Sequence, residues 1–162
     1  MADLTVTLTE AVTLNGAARG STNTKVISGV DDVYHRIITV PSGVPVSVAV
    51  FKSTTGIGLE SAMDVENVKY IRVTNLEASN SVILDLQIDT AEDNSDAADN
   101  AALLLEAGKS FIMGSPSDGI FVNDGGATPV TALSSLINLE SIIIDPLAAA
   151  CRIEVFIASA VA

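Results

Sequence analysis

Hydrophobic and polar residues alternate with a period of two along most of this chain, and helical periodicity is scarce. Between residues 4 and 14 the even positions include Leu4, Val6, Leu8, Val12 and Leu14, while Thr5, Thr7, Thr9 and Thr13 occupy odd ones. Such a segment forms a strand with one apolar face and one threonine face. Asn15-Gly16 follows directly, a pair suited to a tight hairpin turn. Further strands are predicted over residues 25–30 and 33–40, the latter stopped by Pro41-Ser42-Gly43. Val44, Val46, Val48 and Val50 make another, and Pro45, which has no N–H to donate, places its start at a sheet edge.

The run Thr54-Thr55-Gly56-Ile57-Gly58 reads as loop. Residues 68–76 and 82–89 read as a hairpin about a turn at residues 77–81, with Val82, Leu84, Leu86 and Ile88 inward and Asp85, Gln87 and Asp89 outward. A second hairpin is predicted from residues 103–106 and 110–114 about Ala107-Gly108-Lys109. Short strands over residues 120–122, 139–144 and 152–159 complete the set. Residues 94–105, rich in Ala, Asp and Leu, suit helical turns or an excursion loop, and residues 131–138 suit a helical turn. The expectation is one all-β domain over residues 1–162, an antiparallel β-sandwich or jelly roll of about eight to ten short strands.

Composition adds an anomaly. The 162 residues are 48% hydrophobic and only 17% charged, with a mean hydropathy of +0.46, against about 25% charged in an average protein. A surface this poor in charge fits a subunit that other chains cover. The charge that remains is acidic, −12 in total. Residues 1–81 carry eight acids and six bases, and the remainder carries twelve acids with only Lys109 and Arg152. Nucleic acid and anionic membranes are therefore unsuitable partners, whereas a basic partner suits the acidic part. Met1-Ala2-Asp3 opens without a basic region or apolar run, so the chain is expected to be made and kept in a cytoplasm.

Candidate chemistry is sparse. His35 is the only histidine, and no G-x-S-x-G or similar motif supplies it with a nucleophile; it is expected to be a satisfied sheet or interface residue. Cys151, the only cysteine, sits between Ala150 and Arg152 and reads as a small buried hydrophobe. One His and one Cys do not make a zinc site. Asp89, Glu92, Asp93, Asp96 and Asp99 are close in sequence but lack the EF-hand order, so a solvated loop is expected ahead of a calcium site. With no Trp and few other aromatics, carbohydrate platforms are poorly supplied. No catalytic residue, cofactor or metal is assigned, and an enzyme is not expected.

Tyr70-Ile71-Arg72-Val73-Thr74-Asn75-Leu76, the Asn80-Ser81 turn, the strand from Val82, Leu105-Glu106-Ala107-Gly108-Lys109-Ser110-Phe111 and the closing Ile153-Glu154-Val155-Phe156-Ile157-Ala158-Ser159 resemble the small jelly-roll or β-sandwich virion proteins of tailed bacteriophages. The resemblance spans residue 68 to the C-terminus. It implies a head decoration or cement protein, assembled in the host cytoplasm and bound to the capsid exterior. Its partners would be the major capsid protein and its own copies, as a homotrimer. Thr5, Thr7 and Thr9, with Ile153, Val155, Phe156 and Ile157, are the expected contact residues. The alternative is a receptor-binding or fibre-tip adhesion module, whose loops at residues 54–58 and 115–127 would recognise a host glycan. A third is a calcium-dependent adhesive domain using residues 89–99.

Overall fold

The structure, a computed structural model, describes residues 1–52, 62–88, 99–120 and 136–160. Its strands in chain order are β1 (Ala2–Thr9), β2 (Thr13–Leu14), β3 (Ala17–Ala18), β4 (Thr22–Val30), β5 (Asp32–Val40), β6 (Val46–Lys52), β7 (Met63–Asp64), β8 (Val68–Asn75), β9 (Val82–Ile88), β10 (Asp99–Leu105), β11 (Ser110–Met113), β12 (Leu139–Pro146) and β13 (Cys151–Ser159). Among the described residues a single 3-10 turn, at Val65–Asn67, is capped by Asp64, whose Oδ1 accepts from the Glu66 N–H.

Two sheets form the body. One runs β11-β8-β13-β5, and the other runs β10-β9-β12-β6 with the short parallel β7 at its end. Among these eight long body strands, successive members fall in opposite sheets except β9 and β10, the double Greek key of a jelly roll. The all-β sandwich expected from the alternation is what the chain forms.

The core lies between the sheets. Ile71, Val73, Ile153, Val155 and Ile157 from one sheet meet Phe51, Leu84, Leu86, Ile142 and Ile144 from the other, each essentially without solvent exposure. Cys151 joins them as a free, buried thiol. Burial, and secondarily the Glu77 carboxylate, push its pKa up, so it behaves as a small apolar filler.

Two strand readings are corrected by the pairing, and the edge expected at Pro45 is met. The turns at residues 77–81 and 107–109 do not close hairpins: β8 and β9 belong to opposite sheets, as do β10 and β11. Each turn instead carries the chain across the sandwich. Residues 99–105 form β10 rather than helical turns, because pairing along β9 supplies hydrogen bonds and burial that outweigh the helix preference of Ala and Leu. Pro45 lies just ahead of β6, which pairs with β12 on one side and only through Phe51 and Lys52 with β7 on the other. The predicted loop at residues 54–58, most of residues 89–99, residues 121–127 and most of residues 131–138 lie outside the described residues.

Asn75 is the buried polar centre of one end of the sandwich. Fully buried, its Nδ2 donates to the carbonyls of Asn80 (2.7 Å) and Leu105 (3.1 Å), and its Oδ1 accepts from the Glu77 N–H (3.1 Å). Its own carbonyl accepts from Gly108 N–H, and its N–H donates to Lys109. One side chain therefore fixes both crossing turns. Gly108, at φ 69°, supplies the left-handed position that the second turn requires. The Arg72-to-Asn75 and Leu105-to-Phe111 motifs thus have a structural job in this chain: they hold two cross-sheet turns together.

Candidate interaction surface

The N-terminal segment forms a β-ribbon that leaves the body. β1 and β4 pair antiparallel from Ala2↔Val30 to Thr9↔Thr22. Beyond them Glu10 N–H donates to Ser21 O and Arg19 N–H to Val12 O (both 2.8 Å), and β2 and β3 close the tip. Asn15 and Gly16, with φ of 54° and 77°, supply the two left-handed residues of a type I′ turn. Near the base the register shifts beside Gly29, at φ 76°, a bulge that re-aims the ribbon.

Only the base of this arm is supported. Leu4, Val6 and Ile27 pack with Val30 against Tyr70, Phe156 and Ala158 on the outer face of the β11-β8-β13-β5 sheet. From there outward, residues 7–26, twenty in a row, are all exposed. They include Leu8 (52%), Val12, Leu14 (60%) and Val26. An isolated two-stranded ribbon is marginally stable in water at best, and exposed aliphatic side chains on it gain nothing until covered.

Each ribbon face has its own chemistry. Thr5, Thr7 and Thr9 stand opposite Val26, Thr24 and Thr22, with hydroxyl contacts Thr7–Thr24 at 3.3 Å and Thr22–Thr9 at 3.4 Å. All five threonines are exposed. The other face carries Leu4, Val6 and Leu8 opposite Ile27, Lys25 and Asn23. Where the ribbon kinks, an open cleft of ≈ 400 Å³ lies between Glu10–Thr13 and the returning segment at residues 18–22. Gly20 permits this approach, since a β-carbon there would lie 1.9 Å from Glu10 O. Gly20→Ala should therefore loosen the arm without touching the core: hydrogen exchange at the Glu10 and Arg19 amides accelerates, while body stability stays within about 0.5 kcal/mol of wild type.

The outer sheet face beside the arm holds a charged cluster. Glu154 accepts from Arg72 Nη1 (2.7 Å) and pairs with His35 Nε2 (2.8 Å), while Arg72 also reaches Thr74 Oγ1 (2.7 Å). Phe156 packs at a tilt against His35 and edge-on to Tyr70, with the Arg72 guanidinium 6.0 Å from its ring centre. Exposed Val33, Ile37 (63%) and Ile112 surround the cluster, and Ile37 stands directly opposite Glu154.

The hydrogen bonds from Arg72 and then His35 hold the Glu154 carboxyl below its ordinary 4.5, which makes it a weak base already committed to two partners. A depressed carboxyl contributes stability above its unfolded pKa and loses that contribution as pH falls through the folded value. The stability difference between wild type and Glu154→Gln should hold above about pH 4.5 and shrink below it, as read by urea unfolding across an acid pH series. Asp85 moves the opposite way, raised by burial, with Oδ1 lacking a hydrogen-bond partner among the described residues. Wild-type acid titration alone therefore mixes two opposed effects.

The expected contact residues separate into two groups. Thr5, Thr7 and Thr9 are on the exposed arm. Ile153, Val155 and Ile157 are corrected to core residues, because strand alternation turns them between the sheets, where they are 0–1% exposed. Phe156, with the opposite parity, lies on the outer face beneath the arm base. Arg72, Glu154 and Ile37 were missed as surface residues, although the alternation that buries Ile153 and Val155 assigns Glu154 outward. Among the described residues no group of three or more His, Cys, Asp or Glu is placed to hold a metal, and no helix is long and apolar enough to cross a membrane. No family model, curated protein or solved structure matches the chain.

Proposed function

We propose that the protein is a non-enzymatic structural subunit of a virus particle, a decoration or cement protein of the tailed-phage kind that binds the outside of a capsid shell. A jelly roll hosts many functions, so the fold alone does not choose this role. The arm is the observation that carries it. Twenty consecutive exposed residues bearing Leu8, Val12 and Leu14 belong to a molecule made to be covered by neighbours. Covering them removes apolar surface from water at about 25 cal/mol per Å², and repetition around a shell accumulates the gain.

Charge is divided to match. Residues 1–30 carry two acids and two bases, so they are neutral, and the rest of the chain carries eighteen acids against six bases, the whole −12. The acidic body suits a basic shell surface, the major capsid protein being the proposed partner, and keeps an apolar protein soluble. It opposes binding to nucleic acid or anionic membrane. The test mixes purified protein with shells lacking it: saturable binding and a raised shell melting temperature are expected, and absence of both overturns the proposal.

A further inference from the structure

We infer that the arm of one copy docks on the outer face of the β11-β8-β13-β5 sheet of a second copy, seating its apolar stripe beside Ile37 and the Arg72–Glu154–His35 cluster. The inference deepens the assembly role above by naming the arm's partner, and it holds for a free oligomer whether or not a shell is bound.

Three observations point to a second copy. The same ribbon face already docks on this sheet within the chain: Leu4, Val6 and Ile27 cover Tyr70, Phe156 and Ala158. The apolar stripe then continues outward as exposed Leu8, while the receiving sheet continues as exposed Val33, Ile37 and Ile112. Donor and acceptor surfaces are therefore continuations of one existing contact. Charge favours this geometry over contact between two bodies. Each body carries −12, so face-to-face docking brings like charges together, whereas a neutral arm with Lys25 and Arg19 crosses to an acidic body without that repulsion.

The experiment uses single-cysteine additions on exposed positions, with native Cys151 buried in the core. Protein carrying Leu8→Cys is mixed with protein carrying Ile37→Cys and treated with a short bis-maleimide. A cross-linked band of twice the chain mass, containing one of each protein, is expected. It should be lost when Ile37→Cys is replaced by Leu104→Cys, on the outer face of the other sheet, and excess unlabelled wild-type chain should suppress it more than excess Ile37→Asp chain does. No mixed band, or equal bands with Leu104→Cys, overturns the inference. Shell binding is scored separately, so failure of the shell proposal leaves this result readable.

Discussion

Asn75→Leu is expected to destabilise the protein by about 3 kcal/mol or more, since each buried polar group left unpaired costs about 1–3 kcal/mol. The change strands the buried carbonyl of Leu105 and removes the partner of the part-buried Asn80 carbonyl and Glu77 N–H. Leucine is similar in size, so the loss reports hydrogen bonding rather than a cavity. Against a total stability of about 5–15 kcal/mol, the variant sits near the threshold of folding. Asn75→Asp keeps an acceptor for Glu77 but loses both donated bonds, and a large loss is expected there too. Denaturant unfolding measures both. A loss below about 1 kcal/mol for the leucine variant would show that the two turns do not depend on this side chain.

Ile153→Ala is expected to cost about 2–5 kcal/mol, the range for truncating a fully buried aliphatic residue. At this chain length that lowers the melting temperature by about 2–4 °C per kcal/mol. Ile153 is 0% exposed between the sheets, so association of the folded variant should be unchanged. Were Ile153 a contact residue, the result would invert, with association lost and melting temperature kept.

Much of the architecture was legible because burial on one sheet face imposes a period of two. The β9 pattern of Val82, Leu84, Leu86 and Ile88 inward, and the Asn15-Gly16 tip, follow from residues alone. Which strand neighbours which did not follow. Both sheets of a sandwich share one inward grammar, so a short turn looks the same whether it closes a hairpin or crosses between sheets. The strand pairing shows that the turns at residues 77–81 and 107–109 cross, and the Asn75 bonds that tie the second turn to the first join residues far apart in sequence. β10 was obscured because Asn100, Ala101, Ala102 and Leu103 have little intrinsic strand preference.

The candidate interaction surface was half legible. The threonine face of β1 stood out, but its exposure depends on β4 turning off the body at Gly29 and Asp31, a tertiary event. At the C-terminus hydrophobicity alone groups Ile153, Val155, Phe156 and Ile157 as contacts, although alternation separates Ile153, Val155 and Ile157 from Glu154 and Phe156. Parity decides which of these a partner reaches.

Assembly of this jelly roll through its arm is read most directly from the native mass of the purified full-length chain, compared with the same chain carrying Leu8→Asp and Leu14→Asp. A multiple of 16.7 kDa is expected for wild type and a folded monomer for the double variant, whose core is untouched. A monomeric wild type, or an oligomer that survives both aspartates, would contradict it.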